Sequence, residues 1–395
     1  SIIRRHINIY TIGKRMKHII TIIITIIISL IITIHSAFAL IDTNAETAII
    51  IDSDTGFVLY DKKSDQKTYP ASMTKIMTAL IVFEKLSNGS LTLDDTFIVS
   101  ERAWKEREGS SMFVEIDKEI RVEDLLRGII VQSGNDACIV IAENISGSEE
   151  TFSLLMNQMA KDIGLKNTNF SNSTGMHDDD NYSTAADIAK MSRYIIMNYP
   201  EYYHLFSETE FEWSGIKQNN RNPLLYKDIG ADGLKTGHLS ISGYGLAASA
   251  VNDGRRLIVV GNGFSTSQKR SQGTARLLNW GFREYTNLVL FKKDILIDNL
   301  PISMASQDTI PLTSLENIIV TISKARIKAV ETEIIPINNL KAPILKGDVV
   351  ATLKVTIPKS ESQYFNLISN IDIDEAGYIS SFFSFIYNLF ANIFS

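Results

Sequence analysis

The chain has 395 residues, 45% of them hydrophobic, and a formal net charge of -6. That length exceeds one ordinary core and that hydrophobic share excludes a disordered protein, so a large domain and a smaller one are expected. Beyond residue 39 the balance is 34 basic against 45 acidic residues, a net -11, which repels phosphate and argues against nucleic acid as a partner; the single cysteine, Cys138, excludes an intrachain disulfide.

Residues 1–39 read as an export signal. Arg15, Lys17 and His18 lead into Ile19–Ile34, which is built only of Ile, Leu, Thr and Ser, and Ala37-Phe38-Ala39 closes it as a cleavage site. The run is short for a retained membrane span. Met16 can serve as the start, which makes residues 1–15 an upstream extension. Next, Ala48–Ile51 and Phe57–Tyr60 flank Asp52-Ser53-Asp54-Thr55-Gly56, a hairpin signal. Helical spacing follows over Ile76–Lys85, Val122–Ile130, Ala137–Ile145, Phe152–Ile163, Ala185–Met197 and Gln272–Tyr285, and a second hairpin, Gly243–Val251 with Arg255–Gly261, turns at Asn252-Asp253-Gly254. Strands from both ends of this stretch with helices between them make residues 40–290 an α+β domain, an antiparallel sheet with helices. From about residue 295 the texture changes to short Val/Ile/Thr runs (Ile318–Ser323, Ile327–Val330, Val349–Ile357), so residues 291–376 are expected to form a small all-β sandwich that acts as a spacer. Residues 377–395 place Phe382, Phe383, Ile386, Leu389, Phe390, Ile393 and Phe394 on one helical face, an uncharged amphipathic helix suited to lie on a membrane surface.

Ser-x-x-Lys occurs three times: Ser64/Lys67 in a polar stretch, Ser214/Lys217 in loop-like sequence, and Ser72/Lys75. Only Ser72 follows a proline, Pro70, and opens an apolar helical run. A serine at a helix start sits among unpaired backbone donors that favour negative charge on a nearby oxygen. Lys75, one turn on, shares its face; burial and a second cation would leave it as free amine able to take the serine proton. By itself the pattern reads more readily as a solvated helix cap. Two further segments change the weighing. Ser133-Gly134-Asn135, between two helical patterns, can project into a cleft, Asn135 to donate to a substrate carbonyl and Ser133 to relay a proton. Lys235-Thr236-Gly237 fits a strand edge, where Lys235 supplies a cation, Thr236 a hydroxyl, and Gly237 room for a backbone to approach.

With Pro70-Ala71-Ser72-Met73-Thr74-Lys75, Ser133-Gly134-Asn135-Asp136-Ala137 and Asp232-Gly233-Leu234-Lys235-Thr236-Gly237-His238, and with Tyr182-Ser183-Thr184-Ala185-x-Asp187 and Trp280-Gly281-Phe282-Arg283, the chain resembles the D-alanyl-D-alanine carboxypeptidases, low-molecular-mass penicillin-binding proteins of the penicillin-binding protein 5 type, from signal to anchor. The resemblance implies a β-lactamase/transpeptidase-like fold and removal of the C-terminal D-alanine from peptidoglycan stem pentapeptides, with β-lactams as covalent inhibitors. It implies an enzyme without cofactor or metal, on the periplasmic side of the inner membrane. Ser72 would be acylated and Lys75 would accept its proton. Ser133 and Asn135 would assist, and Lys235 would bind substrate. The backbone N–H groups of Ser72 and His238 would form the oxyanion hole. Arg270 would pair with the terminal carboxylate, with Arg221 a second candidate.

Four rivals share parts of this pattern. A D,D-endopeptidase uses the same acyl-enzyme. A class A β-lactamase needs a deacylating glutamate past the middle motif, and residues 151–200 contain none. A metallopeptidase lacks its ligands: after the signal only His177, His204 and His238 remain, and Asp178-Asp179-Asp180-Asn181 lacks the glycine and final glutamate of a calcium loop. A β-lactam-sensing or wall-binding protein would need neither a free Ser72 nor a free Lys75.

Overall fold

In the computed structural model, residues 41–376 are described, apart from Arg107 and Lys359. The expected signal peptide and C-terminal amphipathic helix lie outside the described residues. Strands β1 (Thr47–Asp52) and β2 (Val58–Lys62) form the first expected hairpin. Asp52 organises its turn by accepting from the backbone N–H groups of Asp54 and Thr55, the local bonding that makes aspartate a turn residue. A 3-10 turn, Ala71–Thr74, then runs into helix α1 (Lys75–Ser87). Residues Ile76 to Phe83 of α1 are all 0% exposed, so this helix is apolar all round because it runs through the middle of the core.

Around it follow β3 (Thr96–Ile98), α2 (Glu101–Lys105), β4 (Glu119–Arg121), α3 (Val122–Ile130), α4 (Asn135–Ser146), α5 (Glu149–Asp162), α6 (Ala185–Asn198) and α7 (Pro200–Tyr203). Side-chain oxygens cap several of them: Ser148 accepts from Thr151 N at the start of α5, and Thr184 from Asp187 N at the start of α6. A small hairpin, β5 (Glu210–Trp213) and β6 (Ile216–Asn219), precedes β7 (Ala231–Leu239), β8 (Gly243–Asn252), β9 (Arg255–Phe264) and α8 (Ser267–Glu284). The main sheet is antiparallel in the order β2-β1-β9-β8-β7. Strands from both ends of the stretch share one sheet, as expected, and β7, with the Lys-Thr-Gly sequence, forms its edge.

The remainder is all β. Strand β10 (Tyr285–Phe291) pairs with β13 (Ile318–Ser323), so this ladder spans the boundary expected at residue 290. A second sheet has the order β11 (Asp298–Pro301), β12 (Thr309–Thr313), β16 (Gln363–Ser369), β15 (Val349–Thr356) and β14 (Glu331–Pro336). Ile310, Val320, Leu353, Val355 and Leu367 fill one cluster between the two sheets, the expected sandwich. The run Ile327–Val330 is not a strand: residues Lys324–Ala329 form a 3-10 turn and Ile327 is 37% exposed. Three apolar residues, Ile327, Ala329 and Val330, among Lys and Arg have no buried face to pay for a strand there. Ser214 and Gly215 form the β5–β6 turn, with φ of 49° and 75°, so the Ser214/Lys217 pair lies on a surface hairpin and Lys217 pairs with Glu210. Ser64 closes a local turn by donating to Asp61.

A buried polar junction ties the two parts together. Asp52, 0% exposed, takes Arg255 Nε at 2.8 Å and Asn287 Nδ2 at 3.2 Å, while Thr55 Oγ1 lies 2.6 Å from Thr321 Oγ1 on β13. Asp52 with Asn287, Thr55 with Thr321, and Arg255 Nη1 with the Tyr285 carbonyl (2.8 Å) bridge the two parts, which fixes the orientation of β10 and β13 on the main sheet.

Candidate active site

Three segments meet at the open edge of the sheet. The 3-10 turn Ala71–Thr74 carries Ser72 and packs on β7 and β8, with Met73 against Gly237 and Gly245. A Cβ on Gly237 would come within 2.6 Å of the Pro70 carbonyl, so the backbone that approaches this glycine is the protein's own turn. Ala71 (φ 51°) and Ser133 (φ 60°) are both held in the left-handed region, a local cost that tertiary contacts must sustain.

Lys75 is 1% exposed, and its Nζ donates to Ser72 Oγ (3.1 Å), Asn135 Oδ1 (2.7 Å) and the Thr174 carbonyl (2.6 Å). An ammonium has three N–H donors, and all three are used. The last two acceptors cannot give a proton back. When the amine is neutral they claim its two N–H groups, and its lone pair is left facing the Ser72 hydroxyl. Burial pushes the Lys75 amine down to about 8, and Arg221 acts in the same direction, against Asp136 and Glu149. Cys138, buried beside it on α4, has its thiol pushed up to about 12 by desolvation and is neutral near pH 7. With a pKa near 8, about a tenth of Lys75 is free amine at pH 7, against roughly three parts in ten thousand for an ordinary lysine.

Lys235, 2% exposed on β7, donates to Ser133 Oγ at 2.9 Å. Burial holds its pKa well below the usual lysine range, and Lys75 and Arg221 add like-charge repulsion. Asn135 opens α4; besides holding Lys75, its Nδ2 donates to the Glu108 carbonyl (2.8 Å) and touches Met176 Sδ (3.3 Å). A substrate carbonyl would displace the sulfur contact, the weaker of the two. Thr236 is buried next to Lys235, and His238, exposed, stacks on Tyr244 with ring centroids 4.0 Å apart. Arg270, in the first turn of α8, lies over the same Tyr244 ring at 5.5 Å and is 8% exposed, yet its Nε has no hydrogen-bond partner among the described residues. Arg221 donates to Ser110 Oγ.

Several groups that complete this arrangement carry no motif. Asp136, 0% exposed, accepts from Ser111 Oγ and from the backbone N–H groups of Met112, Phe113, Val114 and Ala137, and so ties the 110–114 loop to α4. The Thr174 carbonyl is the second acceptor for Lys75, and Asn172 Oδ1 braces it by accepting from Thr174 N and Gly175 N. Gly175 has a φ of 81°, and a Cβ there would sit 1.9 Å from the Ala71 carbonyl oxygen. Gly175→Ala is therefore expected to lower the unfolding free energy by about 2–4 kcal/mol, read as a lower urea midpoint, because strain and overlap add at one point. Among the described residues, no group of three or more His, Cys, Asp or Glu side chains could hold a metal ion.

A family model described as D-alanyl-D-alanine carboxypeptidase matches residues 33–265, and one described as penicillin-binding protein 5, C-terminal domain, matches residues 285–375. D-alanyl-D-alanine carboxypeptidase DacA of Haemophilus influenzae is 36% identical over 338 residues, which is 84% of this chain and 86% of that protein. D-alanyl-D-alanine carboxypeptidase DacC of Escherichia coli is 34% identical over 350 residues, 87% of this chain and 88% of that one. Among solved structures, penicillin binding protein 5 from Haemophilus influenzae superposes with a TM-score of 0.81 at 34% identity and covers 86% of this chain and 100% of its own.

Proposed function

The chain belongs to the D-alanyl-D-alanine carboxypeptidase family, and on that footing we propose that it removes the C-terminal D-alanine from peptidoglycan pentapeptides through an acyl-enzyme on Ser72. The observation that carries this reading is the aim of Lys75: two acceptors fix its N–H groups and leave the lone pair on the Ser72 hydroxyl. The amine takes the hydroxyl proton as Oγ attacks the carbonyl of the terminal peptide bond. The backbone N–H groups of Ser72 and His238 would receive the oxyanion. The proton passes through Ser133 to the leaving nitrogen, D-alanine departs, and water then hydrolyses the ester with Lys75 again as base. Thr236 and Arg270 would hold the terminal carboxylate; a buried guanidinium whose Nε lacks a partner supports this role for Arg270. Asn135 and Lys235 would orient the peptide, and Gly237 keeps the nucleophile turn against β7.

A β-lactam would acylate Ser72 by the same attack, in line with the penicillin-binding relatives. Past the middle motif, Glu143 is engaged by Ser100 and Arg102, and Glu149 has one oxygen engaged by Arg102 and the other by Ser173, which supports slow deacylation over β-lactamase action.

Relatives of this kind act on peptidoglycan, which implies work outside the cytoplasm. We further propose that residues 1–39 are a cleaved signal peptide, that residues 40–290 are the catalytic domain, that residues 291–376 hold it away from the membrane, and that residues 377–395 anchor the protein peripherally on the periplasmic face of the inner membrane. Product analysis on purified pentapeptide muropeptides, with mass spectrometry after penicillin, tests the activity. D-alanine release with a persistent adduct on Ser72 is expected. Cleaved cross-links would indicate an endopeptidase, rapid penicillin hydrolysis a β-lactamase, and an adduct without peptide turnover a sensor.

A further inference from the structure

Glu149 stands behind the general base, outside the cleft. It is the first residue of α5 and 8% exposed. Its Oε1 accepts from Ser173 N (2.9 Å) and Ser173 Oγ (2.6 Å), and its Oε2 accepts from Arg102. From the other side, Thr78 Oγ1 on α1 donates to the Ser173 carbonyl at 2.7 Å. Ser173 is thus pinned at its nitrogen, hydroxyl and carbonyl, and the next carbonyl along the chain is the one that holds Lys75 Nζ. A buried carboxylate is costly unless paired and bonded, and here each oxygen has a partner.

We propose that Glu149 is a positioning residue for the reaction: it fixes the 172–175 segment whose Thr174 carbonyl aims the Lys75 lone pair, and its charge sets the potential in which that amine exchanges its proton. This rests on the reading of Lys75 as the proton acceptor. The physical need is a counterweight. Burial and the cations Lys235 and Arg221 all push the amine towards neutrality, and a base that is too weak gains little from being free. The charged and titratable groups facing Lys75 are Asp136 and Cys138 from α4, Glu149 from α5, Lys235 from β7 and Arg221 from the segment after β6. Around Glu149 stand Arg102 from α2 and Glu143 from α4, which shares Arg102.

The test is the pH dependence of the second-order rate of acylation by penicillin, measured on the full chain. Glu149→Gln keeps an acceptor for Ser173 but removes the charge, so the acid limb moves down by about half a unit to one unit while the plateau stays within roughly threefold. Arg102→Gln moves the limb up, and the double variant returns it towards the wild-type position. Glu149→Ala, which also releases Ser173, lowers the rate at every pH. A limb that Glu149→Gln leaves in place, or moves up, overturns the proposal. If that variant does not fold, Arg102→Gln decides alone, since the Arg102 side chain is 50% exposed; an unmoved limb there has the same meaning. Lys75→Met separates the two ideas. An acid limb that survives in Lys75→Met defeats the reading of Lys75 itself, whereas a limb lost there but unmoved by the other variants defeats only the role of Glu149.

Discussion

Ser72→Ala is expected to abolish D-alanine release and covalent β-lactam labelling, a loss of at least about 10⁴-fold, with the fold intact. The size of the loss follows from the division of labour. In the proposed mechanism Lys75, Ser133 and Lys235 move or hold protons, but the acyl bond needs an oxygen, and the hydroxyl aligned with the Lys75 amine is that of Ser72. The fold should hold because Ser72 gives little to stability. It is half-buried, its hydroxyl contributes one hydrogen bond, and Lys75 keeps Asn135 and Thr174 as partners without it. The variant should therefore unfold within about 1 kcal/mol of the wild type. Two readings together check this: D-alanine released from pentapeptide, and intact-protein mass after penicillin. Retained release with an unlabelled protein would mean that another nucleophile does the chemistry.

Ser72, the Lys75 amine and the Lys235 cation were legible in the sequence as one candidate site because each lies in a short motif whose surroundings have a period. Apolar residues from Ile76 to Phe83 announced the helix that carries Lys75, and the hairpin signal at Asn252-Asp253-Gly254 placed the sheet beside Lys235. The two sheets of the smaller domain were legible as Val/Ile/Thr runs. What was not legible acts through backbone groups or over long separations. The Thr174 carbonyl is a backbone group of a residue whose side chain has no role in the contact, 99 residues from Lys75. Asp136 reads as part of a motif, yet its work is to gather four backbone N–H groups, three of them from a loop more than twenty residues earlier. Glu149 lies just before the glutamate-free stretch, and nothing in its neighbours along the chain points to Ser173. Ile327–Val330 failed for the opposite reason: local composition suggested a strand where the fold offers no core to bury it.

Lys75→Met should separate catalysis from stability most sharply. The thioether fills nearly the same space and cannot accept a proton, so acylation by substrate and by penicillin should fall by about 10²–10⁴-fold. The acid limb of the rate profile should go with it, since the group that titrates near 8 is gone. Stability should respond differently. Loss of the amine leaves Asn135 Oδ1 and the Thr174 carbonyl without a donor, at about 1–3 kcal/mol each. Against this, the wild type holds a buried charge that its surroundings oppose. The folded amine titrates near 8 and the unfolded one near 10.5, so between those values the unfolded chain binds the extra proton and wild-type stability rises with pH, by on the order of 3 kcal/mol in all. The methionine variant should lose most of that rise, and Lys235, relieved of a like-charged neighbour, should titrate higher. At pH 7 the two effects oppose each other and the variant should lie within about 2 kcal/mol of wild type, while above pH 10 it should be the less stable protein. Urea unfolding across this range reads the crossover; parallel stability curves would mean that Lys75 is not the buried amine that the site requires.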